Sequence, residues 1–141
     1  MAQKQTKTNA MRMLEKEKVA YTFHEYDHED GAIDGVSVAV KLGQDPARGF
    51  KTLVTQGASK NFYVFVIPVA AELDLKKAAK AVGEKNVAML HVADLLKTTG
   101  YIRGGCSPVG MKKQFVTVID ASAQDKPTVM VSAGRIGAQV E

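Results

Sequence analysis

The stretch FKTLVTQGASKNFYVFVIP, residues 50–68, decides the fold of this chain. Two runs rich in β-branched and aromatic residues, FKTLVTQ and NFYVFVIP, flank GASK, whose glycine and small polar residues suit a chain reversal. We read a β-hairpin at the centre of a sheet. Lys51 puts a charge inside an apolar run, and its ordinary explanation is an outward-facing residue of an alternating strand.

Downstream, LDLKKAAKAVG at 73–83 reads as a helix capped by Asp74, with Leu75, Ala78, Ala79 and Val82 as its buried stripe and Gly83 just past its end. NVAML follows as a short strand and VADLLKTTG as a short helix ending near Gly100. QFVTVID and TVMVSA are late strands around a loop containing Pro127. Upstream, TNAMRMLEKEK places Ala10, Met13 and Leu14 on one side of a short helix with Thr8 or Asn9 as its cap. DGVSVAVKLGQDP fits either an alternating strand or a helix stopped at Gly43; we read a helix. Residues 1–7 are polar and expected to be loose. Strands and helices mix without regular β-α-β alternation, which predicts a single α+β domain over 1–141, a mixed, curved β-sheet flanked by short helices.

Composition sets bounds. A chain of 141 residues with 45% hydrophobic content can bury a core of its own. One cysteine, Cys106, excludes an internal disulfide, and neither a signal peptide nor an apolar run of spanning length is present. These absences point to the cytoplasm and to no membrane partner. The formal net charge of +4 and a pI of about 9.2 favour an acidic partner such as nucleic acid, although solvated lysine faces give the same count.

FHEYDHEDG, residues 23–31, contains the H-E-x-x-H string of zinc hydrolases in His24 to His28. That motif works on a helix, where residues four apart share a face. Here VAYTFHEY reads as a strand, and on a strand the two Cα atoms stand about 13 Å apart, beyond reach of one ion. His91 is the only other histidine. No metal and no cofactor are expected.

Nucleophile elbow, Walker loop and dinucleotide fingerprint are all missing. GYIRGGCSPVG, residues 100–110, stands out with four glycines and a proline in eleven positions. Such a loop lets backbone N–H groups approach an anion or carbonyl oxygen, although a plain connector looks similar.

FKTLV, LDLKKAAKAVG, TTGYIRGGCSPVGMKK and VSAGRIG stand in the order and near the spacing of the YbaK family, and the chain resembles those free-standing relatives of the prolyl-tRNA synthetase editing domain from about Met11 onward. The resemblance implies an aminoacyl-tRNA deacylase acting in trans on Cys-tRNA(Pro), and in some members Cys-tRNA(Cys), with the acceptor end of tRNA as substrate and prolyl-tRNA synthetase as companion. It implies that the substrate cysteine's own thiol attacks its carbonyl, so that no general base from the protein is needed. It carries the family's functional lysine onto Lys51 and its neighbouring threonine onto Thr52. The substrate loop falls on Tyr101, Gly104, Gly105, Ser107 and Pro108; our own expectation is that the backbone N–H groups of Gly104 and Gly105 hold the ester carbonyl oxygen. Tyr26 matches a pocket aromatic, and Ser132 and Gly134 match a late loop. Cys106 stands at a variable position, Gln139 where some relatives carry an acid, and the family's usual final helix has no counterpart. Lys112 and Lys113 are either steering charges for the acceptor end or a solvated face. Rival readings are an Ala-tRNA(Pro) deacylase, a non-catalytic tRNA-binding module, and a thiol enzyme built on Cys106. The oligomeric state is not legible.

Overall fold

Adjacent residues of the central hairpin face different cores, and this divides the molecule. The computed structural model describes residues 7–31 and 34–141. The loose segment expected at 1–7 therefore lies outside the described residues except for Lys7, whose ammonium pairs with Glu15 at 2.6 Å.

Strand β2 (Phe50–Gly57) pairs antiparallel with β3 (Phe62–Pro68), and Gly57 N–H bonds Asn61 O across the turn, as the hairpin reading required. β4 (Val87–Met89) joins β2 antiparallel and β5 (Val116–Ile119) joins β3 parallel, giving the order β4-β2-β3-β5. Tyr63 to Ile67 are buried without a break. A strand covered on both faces loses its alternation, which is why NFYVFVIP reads as one apolar run. Each such side chain contributes roughly 1.5–3 kcal/mol by leaving water.

On one face, Phe50, Val54, Val64 and Val66 cluster with Tyr101 and Cys106. On the other, Tyr63, Phe65 and Ile67 pack with Leu53 and with Ala78 and Ala79 of α3 (Leu75–Val82). Asp74 caps α3 through the amides of Lys76 and Lys77, and Gly83 ends it at φ +72°. Leu75, expected in the buried stripe, is 40% exposed, because it opens the helix and is left beside a cleft instead of under the helix.

The remaining strands form a second sheet rather than extending the first. β1 (Phe23–Glu25), β7 (Ala138–Val140) and β6 (Val131–Ser132) pair antiparallel in the order β1-β7-β6. β7 had no counterpart in the sequence reading. A parallel bridge between Gly49 and Met130 joins the two sheets, with Phe50 N–H donating to Met130 O at 2.8 Å. The α+β class with mixed strand directions holds, and its strands divide between two sheets.

The inner face of the small sheet packs on α1 (Asn9–Lys16), where Met11 joins Ala138, Val140 and Phe23. Met13, expected on the buried side, is 40% exposed, because Met11 and Leu14 take the face towards the sheet. α2 (Gly35–Leu42) confirms the helical choice, capped by Asp34 and closed by Gly43 at φ +65°. α4 (Val92–Thr99) ends at Gly100. No helix among the described residues is long and apolar enough to cross a membrane.

Candidate active site

Two glycine-bearing loops meet over the N-terminus of α1. Thr8 caps the helix by accepting from Met11 N–H and donates its hydroxyl to Ala133 O. Asn9 Nδ2 donates to Gly110 O at 2.8 Å. A Cβ on Gly110 would lie 2.8 Å from the Ala10 nitrogen, so the 100–110 loop approaches the helix as only glycine allows. A Cβ on Gly105 would come 2.9 Å from the Arg135 backbone, and one on Gly134 would come 2.8 Å from Tyr101 Cε1. The loop 100–110 and the turn 133–137 are therefore one packed unit.

Tyr101 organises the first loop. Its hydroxyl donates to Val109 O at 2.7 Å with Gly110 O at 3.2 Å, and its amide donates to Thr99 Oγ1 at 3.0 Å. Burial pushes its phenol up to about 12 and pushes the Cys106 thiol up to about 11. Ser107 is fully buried, its Oγ accepting from Val109 N–H at 3.3 Å, and Pro108 beside it is half-buried. Gly105 donates its own N–H to Ile102 O at 3.0 Å, closing the turn. Gly104 is exposed at φ +85°.

Thr52 belongs with this loop. It lies opposite Val66, on the face of Phe50 and Val54 that Tyr101 and Cys106 cover. Its Oγ1 is buried without a hydrogen-bond partner. Its backbone is also turned away from β3. Val54 O accepts from Leu90 N–H and Phe50 N–H from the other side bonds Met130 O, so the alternation of bonding edges points Thr52's main-chain groups into the gap between β4 and β6. An unpaired buried hydroxyl costs about 1–3 kcal/mol, and a bound polar group repays it.

Lys51 is not brought to the same face. It lies opposite Ile67 and so leaves β2 on the side of Leu53 and α3, half-exposed, its ammonium making no hydrogen bond or ion pair among the described residues. Adjacent Lys51 and Thr52 thus point to opposite sides of the strand.

The outer face of the small sheet carries a polar row. Register aligns His24 with Gln139 and Gln139 with Ser132. Gln139 Oε1 accepts from Gln44 Nε2 at 2.9 Å, and Ser132 Oγ accepts from Gly134 N–H at 3.2 Å. Tyr26, just past β1, is held by its amide on Gly137 O at 3.0 Å. His24 Nε2 lies 2.8 Å from Glu141 Oε1, whose carboxylate also takes Thr128 Oγ1 at 2.6 Å and the Arg48 guanidinium. These partners, Thr128 first, hold the Glu141 carboxyl below its usual range. His28 lies beyond the three-residue strand, exposed, so the two histidines do not share a strand as expected. No group of three or more histidine, cysteine, aspartate or glutamate side chains converges among the described residues.

Sequence reasoning passed over Gln44, Arg48 and Arg135. Arg135 stacks on Phe23 at 5.7 Å while its Nε is buried and unpartnered. An arginine between the glycines of AGRIG was the available signal. Lys112 runs along Gly100, its Nζ 3.4 Å from Lys97 O, so it neutralises the C-terminal end of α4. Lys113 is exposed.

The site is thus an α+β core carrying two interlocked glycine loops, with the Thr52 hydroxyl unpartnered beside them. The chain belongs to the aminoacyl-tRNA editing domain family, whose model matches residues 29–141. Tyr26 falls just before that span. A candidate Cys-tRNA(Pro)/Cys-tRNA(Cys) deacylase, EbsC of Enterococcus faecalis, is 54% identical over 143 residues, covering 100% of this chain and 87% of the relative. Two solved structures share the fold. A crystal structure of a hypothetical protein superposes with a TM-score of 0.85 at 20% identity, over 94% of this chain and 87% of that one. A candidate trans-editing enzyme for prolyl tRNA synthetase superposes with a TM-score of 0.82 at 22% identity, over 94% and 82%.

Proposed function

We propose that this chain is a trans-editing hydrolase that deacylates Cys-tRNA(Pro), and with it Cys-tRNA(Cys), in the cytoplasm. The observation that carries this reading is the 54% identity, across the whole chain, to a relative named for those two substrates. An aminoacyl ester is already activated, so positioning and oxyanion stabilisation suffice. This suits a site with glycine amides and hydroxyls and no strong protein nucleophile.

The substrate thiol gives up its proton and attacks its own ester carbonyl. The carbon–sulfur bond forms, the bond to the ribose oxygen breaks, and that oxygen takes a proton as the tRNA leaves. Water then opens the four-membered thiolactone to free cysteine. Thr52, with its unspent hydroxyl and backbone groups, receives the aminoacyl end beside Tyr101, Ser107 and Pro108. Gly104 presents its amide to the developing oxyanion, and Gly105, whose amide closes the turn, supports it by its close approach to Arg135. Tyr26, Ser132 and Gly134 shape the far wall. Lys51, emerging on the other side of β2, engages the terminal nucleotide's phosphate or ribose. Prolyl-tRNA synthetase is the companion whose errors supply the substrate.

A deacylation panel of Cys-, Ala- and Ser-charged tRNA(Pro) tests the reading. Loss of the cysteinyl ester alone is expected. Preferential loss of the alanyl ester would replace the substrate, and tight binding with no hydrolysis would leave only a tRNA-binding module.

A further inference from the structure

Lys80 and Glu84 stand four apart, the spacing at which a helix pairs opposite charges. Here they do not pair. Gly83 stops α3 one residue before Glu84, at φ +72°, and the chain turns Glu84 toward the β2–β3 hairpin. Its carboxylate takes the Ser59 amide at 3.2 Å and the hydroxyls of Ser59 and Tyr63. It lies so flat on the hairpin that a Cβ on Gly57 would come 2.4 Å from Glu84 Cδ. Asp74, the other acid of this helix, is occupied with capping. Both carboxylates are thus engaged by other groups and pair with none of the neighbouring lysine ammoniums.

Lys76, Lys80 and Lys85 line a cleft of about 330 Å³ between α3 and β4, with Asn86 beside them, Leu75, Ala79 and Val87 as its apolar floor, and Glu84 on its wall with the carboxylate tied to Ser59 and Tyr63. All three are exposed, and none forms an ion pair among the described residues. Lys76 and Lys80 stand one helical turn apart, about 6 Å along the axis, close to the separation of successive phosphates on a nucleic-acid strand. The cleft shares no residue with the loops around Tyr101.

We propose that the α3–β4 cleft is a phosphodiester-docking surface that grips the body of tRNA away from its aminoacyl end. The proposal deepens the deacylase reading and rests on it for the identity of the nucleic acid. Lysines act here as point charges that displace counterions, so the surface contributes sequence-independent, salt-sensitive affinity.

The test compares the parental protein with a Lys76→Gln/Lys80→Gln/Lys85→Gln variant. Binding of uncharged tRNA is titrated across salt concentrations, and deacylation is measured on both full-length Cys-tRNA(Pro) and a short 3′-terminal cysteinyl oligonucleotide. We expect tRNA affinity to fall about tenfold or more and the log–log salt slope to drop by about three, one for each phosphate that a lysine no longer neutralises. KM for full-length substrate should rise in step while turnover of the oligonucleotide is retained. Unchanged affinity and slope, with an unchanged melting temperature, would overturn the docking surface. A parental protein that binds tRNA through these lysines yet hydrolyses no ester would sink the deacylase reading and leave the surface standing.

Discussion

Gly134 lies against the ring of Tyr101 so closely that a Cβ there would sit 2.8 Å from Cε1, and it holds φ at +106°. Steric fit and backbone conformation therefore both demand glycine at the junction of the two loops. Gly134→Ala should cost about 2 kcal/mol or more and lower deacylation, read by chemical denaturation and initial rates. A variant as stable and active as the parent would mean that the loops are not a packed unit.

Thr52→Val separates a structural hydroxyl from a functional one. Because Oγ1 is buried and unpartnered in the free protein, removing it should leave stability unchanged or raise it by about 1 kcal/mol. Deacylation should nevertheless fall at least tenfold. Lower stability at unchanged activity would assign the hydroxyl to the fold.

Lys51→Ala should abolish deacylation while shifting stability by no more than about 0.5 kcal/mol, since the side chain makes no ion pair among the described residues. Parental turnover in this variant would remove Lys51 from the site and leave Thr52 and the glycine loop to carry it.

Burial holds the protons of Cys106 and Tyr101, the thiol rising from 9.0 to about 11 and the phenol from 10.0 to about 12. The unfolded chain loses those protons first as pH rises. The stability they contribute is full below about pH 9 and declines through pH 9 to 12. Denaturation midpoints should fall across that window, and Cys106→Ala should flatten the part between pH 9 and 11. Alkylation of Cys106 at neutral pH should be slow, which separates it from a catalytic thiol.

Single-turnover hydrolysis at saturating protein should consume Cys-tRNA and leave Ser-tRNA on the same tRNA body essentially intact. Serine nearly matches cysteine in size, so shape alone gives modest discrimination. A thiol is partly ionised and nucleophilic near neutrality, while a hydroxyl without a base is inert. Comparable rates would replace substrate-assisted attack with water activated by the protein.

The hairpin, the caps at Thr8 and Asp74, and the glycine stops at Gly43, Gly83 and Gly100 were legible because each is dictated by neighbours in sequence. β7 was not, since AQV is three residues long and becomes a strand only between β1 and β6. Lys51 and Thr52 could be named from a motif, but their separation onto two faces follows from the pairing with Ile67 and Val66. The same holds for Met13 and Leu75, whose helical positions suited a core that packs against other residues.

The union of β1 with β7 also orders events in time. The β2–β3 hairpin closes over a turn of a few residues, whereas His24 meets Glu141 across 117 positions. Loop closure of that span is entropically costly and comes late, after local structure has made it worthwhile. A chain lacking residues 138–140 would hold its central hairpin and leave β1 and β6 without the strand that pairs with both. Pulsed hydrogen exchange during refolding should protect Leu53 and Phe65, whose amides bond across the hairpin, before His24 and Gln139, whose amides bond across β1 and β7, so that the small sheet closes after the large one.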